Sequence, residues 1–229
     1  MSGISVVIPA YKEAENLKLL LPRLCASLSG IGVPYEVLVV DVMSPLDDTQ
    51  AVCAENGCTY VVREGGNNYG DAIRTGFAKA QYEYCVVMDG DGSHSPTVIP
   101  DFYRAVLDGH DLVIGSRYVK GGNSCNNVVL KAMSWSLNLT YRLFFGLYVQ
   151  DVSNSFRMYT TSQLKPLTLV CDNFDLVEEV LIKLVRQKSG FRILEIPIHF
   201  DQRMHGESKR KLGKFIISYI ATMRRLKRV

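Results

Sequence analysis

Short apolar runs alternate along the chain with longer stretches in which apolar residues recur every three or four positions. The short runs are typical of buried strands, which we predict at Ile4–Ile8, Glu36–Val40, Tyr60–Val62, Cys85–Met88 and Leu112–Ile114. The amphipathic stretches predict helices at Glu15–Leu28, Thr49–Glu55, Asp71–Ala80 and Val98–Leu107. This alternation favours an α/β fold with a mixed, mostly parallel sheet flanked by helices.

Large apolar residues are concentrated between Val128 and Val149, where only Lys131 and Arg142 are charged. Two interpretations are open. The first is an ordinary pair of core helices, because polar residues interrupt any run long enough to span a bilayer. These are Ser134, Ser136, Asn138 and Thr140. The second is a surface that meets lipid.

The remaining third of the chain predicts a helix at Leu176–Gln187, a strand at Arg192–Phe200 and a final amphipathic helix from about Lys211. The last helix is rich in lysine and arginine near its end, which complements the helix dipole. We see no repeat and no low-complexity linker. Residues 1–229 are therefore predicted to form one domain with amphipathic helices at its carboxyl end.

The net charge of +3 conceals an asymmetry along the chain. From Arg203 onward there are nine lysines and arginines and one acidic residue. Such a basic tail suits a membrane surface or a phosphate-bearing ligand. Nucleic acid is not expected as a partner, because aromatic residues are sparse among the basic ones.

The six cysteines lack the C-x-x-C spacing of metal or redox motifs, and several lie in apolar stretches. They predict reduced, mostly buried thiols, with neither disulfides nor a zinc site. No signal peptide precedes the first predicted strand, so we expect a cytoplasmic protein.

The sequence Asp89-Gly90-Asp91 ends the apolar run from Cys85. Ligands of open α/β sheets gather at the carboxyl ends of such strands. A turn at Gly90 brings both carboxylates within reach of one hard cation, and carboxylate oxygens suit Mg²⁺ or Mn²⁺ that also carries phosphate oxygens. Asp89 and Asp91 are therefore candidate metal ligands, which indicates a nucleotide-diphosphate substrate. The alternative is a polar loop that caps the next helix.

Several ordered blocks together resemble the family 2 glycosyltransferases of the GT-A (Rossmann-like) type, and in particular the dolichyl- and polyprenyl-phosphate sugar synthases. The resemblance covers nearly the whole chain. The blocks are Val7-Ile8-Pro9-Ala10-Tyr11-Lys12-Glu13, Val39-Val40-Asp41, Gly70-Asp71-Ala72, Asp89-Gly90-Asp91, Gly115-Ser116-Arg117-Tyr118, Asp151 with Phe156-Arg157, Glu195-Ile196-Pro197-Ile198, and Arg203 with Gly206, Ser208 and Lys209.

The resemblance assigns nucleotide binding to residues near the ends of the predicted strands. Tyr11 suits stacking on a base, while Glu13 and Asp41 suit hydrogen bonds to the base or ribose. Residues 1–120 then form the half that binds nucleotide sugar and metal, and residues 121–229 the acceptor half. The nucleotide-binding candidates are Pro9, Tyr11, Glu13, Asp41, Asp71, Gly90 and Lys209.

The catalytic candidates are Asp91, Arg117, Asp151 and Arg203. Guanidinium groups suit bidentate phosphate binding, so Arg117 and Arg203 are expected to hold an acceptor phosphate or a leaving diphosphate. Asp151 is the candidate general base if the acceptor is a hydroxyl group. By resemblance, the loop that carries Arg203 closes over the donor.

The resemblance implies a metal-dependent, inverting transferase that moves a hexose, mannose or glucose, from a nucleotide diphosphate sugar to polyprenyl or dolichyl phosphate. Mg²⁺ or Mn²⁺ is the implied cofactor. Peripheral contact with the cytoplasmic face of a membrane is expected from the apolar segment and the basic tail. Two alternatives stay open: transfer to a sugar hydroxyl in polysaccharide synthesis, and a non-catalytic subunit that binds nucleotide sugar. Val42, Ser93 and Ser155 depart from common family residues, which leaves donor and acceptor undetermined.

Overall fold

One large sheet organises the chain. The computed structural model describes residues 2–205 and 212–227, with the backbone alone for 212–217. Its strands are β1 (Ile4–Pro9), β2 (Tyr35–Asp41), β3 (Thr59–Val62), β4 (Tyr84–Val87), β5 (Leu112–Ser116), β6 (Asn123–Ser124), β7 (Arg157–Thr160), β8 (Ile193–Pro197) and β9 (His199–Phe200). Its helices are α1 (Ala14–Ser29), α2 (Thr49–Glu55), α3 (Tyr69–Lys79), α4 (Ile99–Leu107), α5 (Val128–Phe145), α6 (Thr161–Leu164), α7 (Leu176–Gln187) and α8 (Leu212–Leu226).

The sheet has seven strands in the order β3-β2-β1-β4-β7-β5-β8, while β6 and β9 form a separate short pair. All neighbours in the large sheet are parallel except β7, which runs antiparallel to both β4 and β5. The predicted fold class, a mixed and mostly parallel sheet, is confirmed.

Alternating residues of the strands face two separate apolar cores. On β1, Ile4, Val6 and Ile8 pack against helices α1 and α4, whereas Val7 packs on the opposite face against α3. Helix α7 contributes to this second core as well. Burial on both faces explains why the central strands read as continuous apolar runs rather than alternating ones.

Two features of the sheet differ from the sequence-based prediction. Strand β7 was not predicted, because Arg157 interrupts its apolar pattern; this arginine is fully buried. The predicted strand at Arg192–Phe200 is divided into β8 and β9. Strand β8 pairs with β5, and the chain then leaves the large sheet so that β9 pairs with β6.

The apolar segment at 128–149 does not form a pair of core helices. It forms the single helix α5, in which Asn138 and Tyr141 are the buried residues. Asn127 caps its first turn, and Gly146 ends it in the left-handed conformation that glycine adopts without strain. Most of its large apolar side chains therefore face away from the core.

The order of the strands places the candidate functional segments at one edge. Parallel strands deliver the loops after β1, β2, β4, β5 and β8 to the same side of the sheet. Strand β7 runs the opposite way, so its preceding loop, residues 151–156, also reaches this edge. The predicted start of α8 at Lys211 and the candidate Lys209 lie outside the described residues.

Candidate active site

Asp89 and Asp91 lie directly beyond β4, in the loop where the carboxyl edge of the sheet opens. Asp89 is half-buried and accepts a hydrogen bond from Ser155 Oγ at 3.0 Å. Asp91 is buried, and its Oδ1 accepts bonds from the amide and hydroxyl of Ser93, at 3.0 and 2.6 Å. Gly90, which separates them in the chain, packs against β1, since an added Cβ would lie 3.1 Å from Ile8 Cγ2. Both carboxylates are therefore held in place by their neighbours.

Arg203 joins two acidic side chains of this edge. Its guanidinium lies 3.0 Å from Asp91 Oδ2 and 3.2 Å from Glu13 Oε1. Burial alone would raise the pKa of Asp91, but the hydrogen bonds from Ser93 and the charge of Arg203 lower it overall. Burial raises the pKa of Glu13, and the charges of Asp91 and Asp89 add to that shift. The cluster thus combines three carboxylates with one exposed cation.

The segment that carries Arg203 is fixed on both sides. The Asp201 amide donates to the Ser93 carbonyl at 3.0 Å, and the Met204 amide donates to the Asp91 carbonyl at 3.1 Å. Gly92 has a φ of +80°, and a Cβ there would meet the Met204 side chain at 2.5 Å. Only glycine fits this position without displacement. The segment therefore packs directly on the loop of the two aspartates.

A second polar group lies at the ends of β1 and β2. Asp41 is buried, accepts a bond from the Val42 amide at 2.8 Å and lies 3.3 Å from the Tyr60 hydroxyl. Burial raises the pKa of Asp41, and burial together with the Asp41 charge raises that of Tyr60 to about 12. Tyr11, in the loop after β1, is 41% exposed. The arrangement suits a planar base with hydrogen-bonding edges.

Arg63, which sequence reasoning missed, organises the same pocket. It is buried just beyond β3 and donates to the carbonyls of Ala10, Asn67 and Asn68. These contacts connect the loop after Pro9 to the loop before α3. A lone arginine after a short strand gives no signal in the sequence, because its partners are backbone carbonyls.

Asp71 is placed at the first turn of α3. Its carboxylate accepts the Asn68 amide, while Asn68 accepts the Asp71 amide in return, which completes a capping box. Its Oδ1 also pairs with Arg74 at 2.8 Å. The contacts of this carboxylate are thus to helix α3 and its flanking loop.

Arg117 and Asp151 meet in a buried ion pair. The amide and Nε of Arg117 donate to Asp151 Oδ2 at 2.9 and 2.8 Å, and Nη2 donates to Oδ1 at 2.7 Å. The Arg117 side chain is 9% exposed and that of Asp151 is fully buried. Burial alone would lower the pKa of Arg117, but Asp151 raises it overall. Each group therefore has its principal partner within the protein.

Residues 153–155 connect this ion pair to Asp89. Ser153 Oγ lies 3.0 Å from Arg117 Nη2, and Ser155 Oγ binds Asp89. Between them, Asn154 Oδ1 lies 3.1 Å from His94 Nε2, while His94 Nδ1 accepts the Asp89 amide. His94 and Asn154 are buried, and sequence reasoning missed both. The only available signal was their proximity to Asp91 and Phe156.

Helix α5 packs on the same loop. Asn138 Oδ1 accepts the amides of Val152 and Ser153, both at 3.0 Å, and Ser134 Oγ lies 3.4 Å from Ser153 Oγ. The inward side of α5 is therefore connected through one loop to the candidate active site.

The residues present fit a divalent cation that also binds phosphate oxygens. Asp89 and Asp91 supply carboxylate oxygens, which are the hard ligands that such a cation prefers. Within residues 2–205 and 212–227, no group of three or more histidine, cysteine, aspartate or glutamate side chains is arranged to hold a metal ion by itself. A cation here would need further ligands from a bound diphosphate or water, which is the usual way Mg²⁺ is held in nucleotide sites.

Comparison of the fold with solved structures identifies a similar architecture. Glucosyl-3-phosphoglycerate synthase from Mycobacterium tuberculosis, crystallised with Mn²⁺, UDP and phosphoglyceric acid, superposes with a TM-score of 0.74. The match covers 98% of this chain and 78% of that one, at 20% identity. The same synthase has been crystallised with Mg²⁺ and UDP. The predicted GT-A-like fold is confirmed by this likeness.

Two curated relatives are similar over most of the sequence. Dolichol-phosphate mannosyltransferase of Pyrococcus furiosus is 35% identical over 230 residues, covering 97% of this chain and 63% of that protein. Undecaprenyl-phosphate mannosyltransferase of Micrococcus luteus is 36% identical over 227 residues, covering 92% of this chain and 88% of that protein. The chain thus spans less than two thirds of the Pyrococcus relative. The model of the family described as Glycosyl transferase family 2 matches residues 5–166. This protein therefore belongs to glycosyl transferase family 2.

Proposed function

We propose that this protein transfers a hexose, mannose or glucose, from a nucleotide diphosphate sugar to a polyprenyl or dolichyl phosphate, with inversion at the anomeric carbon. The observation that carries the proposal is the cluster of Asp89, Asp91, Glu13 and Arg203, connected through residues 151–155 to the exposed apolar helix α5. It combines a site for a diphosphate with a surface for a lipid. The two curated relatives, both polyprenyl-phosphate mannosyltransferases by name, support this assignment.

In the proposed reaction a phosphate oxygen of the acceptor attacks the anomeric carbon, and the bond from that carbon to the diphosphate breaks. Arg203 neutralises charge on the leaving diphosphate. Asp89 and Asp91 would hold Mg²⁺ or Mn²⁺, which supplies Lewis-acid stabilisation of the same leaving group. A phosphate monoester is already largely ionised near neutral pH, so the acceptor needs no general base.

The contacts of Asp151 support a phosphate acceptor rather than a hydroxyl acceptor. A hydroxyl acceptor would need a free base, whereas both oxygens of Asp151 bind Arg117 in a buried pair. We therefore assign Asp151 and Arg117 to positioning of the loop at residues 151–155. We assign Tyr11, Glu13 and Asp41 to binding of the donor nucleoside.

We further propose that the protein contacts a membrane through the exposed apolar side chains of α5. Val128 and Leu143 on α5 are 81% and 77% exposed, and Tyr148, just beyond the end of the helix, is 99% exposed. Among the described helices, none is long and apolar enough to cross a membrane. Helix α8 packs beside α5, since Tyr141 Oη donates to the Tyr219 carbonyl at 3.1 Å. An exposed apolar helix suits peripheral insertion at the interface of a bilayer.

Basic residues border this apolar surface. Lys227 Nζ lies 5.5 Å from the ring centre of Phe144, and Arg224 and Arg225 are exposed on the last turn of α8. Arg142 lies on α5 itself. Cations next to exposed apolar side chains favour a membrane with anionic lipids, because charge attraction adds to apolar burial.

Thermal unfolding with a panel of GDP-, UDP-, dTDP- and CDP-linked sugars, with and without Mn²⁺, tests the donor site. A ligand that binds only the native state raises the unfolding midpoint. We expect a Mn²⁺-dependent rise with one base, lost in Asp91→Asn and retained in the matched control Asp101→Asn, whose carboxylate lies in an exposed pair on α4. A shift without donor turnover would instead indicate a non-catalytic subunit that binds nucleotide sugar, and the absence of any shift would contradict the donor site.

Turnover assays with two acceptors test the second substrate. Polyprenyl phosphate is expected to accept the hexose, whereas an oligosaccharide that offers a sugar hydroxyl is not. Transfer to the hydroxyl acceptor alone would overturn the lipid-phosphate assignment while leaving the donor site intact.

A further inference from the structure

Two cysteines that are 33 residues apart lie side by side near the amino end of β3, whereas the candidate active site lies at the carboxyl ends of the strands. Cys25 lies in the last third of α1, and Cys58 immediately precedes β3. Their sulfur atoms are 3.9 Å apart, and both lie near the carbonyl oxygen of Asn56, at 3.9 and 3.6 Å. Both side chains are half-buried, so each retains access to small solutes.

The distance between the two sulfur atoms is short enough for a covalent bond after a small movement. A disulfide has a sulfur-sulfur length of about 2.05 Å, so the two sulfurs must approach by roughly 2 Å. Cys58 is the residue suited to this movement, because it immediately precedes β3, an edge strand of the sheet with only four residues. Cys58 also follows Gly57, which has a φ of +65° in the turn after α2.

We propose that Cys25 and Cys58 form an intramolecular disulfide when the protein is exposed to a peroxide. Hydrogen peroxide oxidises the thiol of Cys25 to a sulfenic acid and releases one water molecule. The sulfur of Cys58 then attacks the Cys25 sulfur, the sulfur-oxygen bond breaks, and the hydroxyl leaves with the Cys58 proton as a second water molecule. Two thiols thus lose two electrons and two protons, and the peroxide is reduced to two molecules of water.

The order of the two steps follows from the surroundings of the thiols. Burial, together with the neighbouring Cys25, raises the pKa of Cys58 to about 12, so Cys58 is a poor first target for the oxidant. Its sulfur lies 3.9 Å from that of Cys25, and this proximity places it to resolve a sulfenic acid that forms on Cys25. Cys53 is the competing thiol of the same region, but it is fully buried.

The bridge would connect α1 to the edge strand of the sheet. Tyr60, whose hydroxyl lies 3.3 Å from Asp41 Oδ2, is two residues from Cys58 on that strand. A cross-link over 33 residues restricts the unfolded chain more than the folded one. The oxidised protein is therefore expected to unfold at a higher temperature than the reduced protein.

Treatment of the full chain with hydrogen peroxide, followed by mass spectrometry without reductant, tests the proposal. We expect a mass lower by two hydrogen atoms, a cross-linked peptide pair that contains Cys25 and Cys58, and a raised unfolding midpoint that dithiothreitol reverses. The bridge should be absent from Cys25→Ser and from Cys58→Ser. It should persist in Cys125→Ser, which removes the exposed cysteine.

Three results would overturn the proposal. They are a bridge from either cysteine to Cys53, disulfide-linked dimers through Cys125 as the sole product, and retention of both thiols or their over-oxidation without a bridge. The two single variants keep the test valid if one of them is poorly folded, because the wild-type peptide map identifies the bridge directly.

Discussion

Arg117 and Asp151 illustrate how a side chain that suits a substrate is committed to another side chain by the fold. Their types and their positions near strand ends made them candidates for phosphate binding and proton abstraction. In the structure they form a bidentate pair at 2.7 and 2.8 Å with almost no exposed surface. Such a pair fixes the 151–155 loop against the end of β5, and each charge depends on the other for compensation.

The first prediction concerns the stability of this pair. Asp151→Asn leaves the buried guanidinium of Arg117 without its counter-charge, and we expect a loss of about 3–5 kcal/mol in the free energy of unfolding. Urea denaturation measures the change. Asp101→Asn is the control and should cost less than about 1 kcal/mol, because its pair with Arg104 is exposed. Unchanged stability of Asp151→Asn with loss of turnover would instead assign Asp151 to the chemistry.

A second prediction at this scale concerns Ser155, which donates to Asp89 Oδ1 at 3.0 Å. Groups that orient a metal ligand typically change metal affinity by about 10- to 100-fold. Ser155→Ala is therefore expected to raise the Mn²⁺ concentration needed for half of the nucleotide-dependent thermal shift by about tenfold. Ser95→Ala, whose hydroxyl binds Thr97 Oγ1 near the surface, serves as control. If both variants need the same Mn²⁺ concentration for half of the thermal shift, Ser155 does not orient Asp89.

Helix α5 is the element in which the apolar pattern was hardest to interpret. A run rich in leucine and phenylalanine favours a core, yet α5 buries only Asn138 and Tyr141. The pattern does not reveal which side of a helix has a partner, since this depends on where α8 and the 151–155 loop lie. The helix contacts those two elements, packs Leu137 and Phe145 against the second core, and leaves Val128, Leu143 and other apolar side chains at the surface.

The prediction for this element is a selective loss of membrane binding. Leu143→Asp places a charge on the exposed side of α5, so binding to vesicles that contain anionic lipid should decrease several-fold, while the unfolding midpoint stays nearly unchanged. Vesicle sedimentation measures the binding. Leu107→Asp, at the end of α4, is the matched control because Leu107 is also exposed, at 60%. Equal sedimentation of the two variants would contradict the membrane surface.

At the scale of the whole molecule, Glu178 affects stability through its burial. It lies fully buried in the first turn of α7, and neither carboxylate oxygen has a hydrogen-bond partner within the described residues. Burial raises the pKa of Glu178 well above its ordinary value, more than the nearby charge of Arg157 lowers it. Asp175 and Asp151 raise this pKa further. The native state therefore holds this proton more tightly than the unfolded chain does.

The consequence for stability depends on pH. Below the ordinary pKa of a glutamate both states are protonated, and the contribution of this proton to stability is fully present. As the pH rises, the unfolded carboxyl ionises first, so the free energy of unfolding falls until the pH passes the raised native pKa. Glu178→Gln should be more stable than the wild type at about pH 8 and nearly equal to it at about pH 5, by urea denaturation. Equal destabilisation at both values would indicate an ionised Glu178 paired with Arg157.

The sequence by itself determined the fold class, five of the seven strands of the large sheet and the helices between them. The strands that are buried on both faces require the continuous apolar runs that the sequence displays. It also identified Asp89 and Asp91 as candidates, since loops at strand ends bring such residues to one edge. The resemblance to the family added Glu13, Asp41 and Arg203. The tertiary structure alone decided the antiparallel position of β7, the contacts of Arg63, His94 and Asn154, the exposure of α5 and the proximity of Cys25 to Cys58. These depend on which segments, far apart in the chain, become neighbours, and a local pattern contains no information about that pairing.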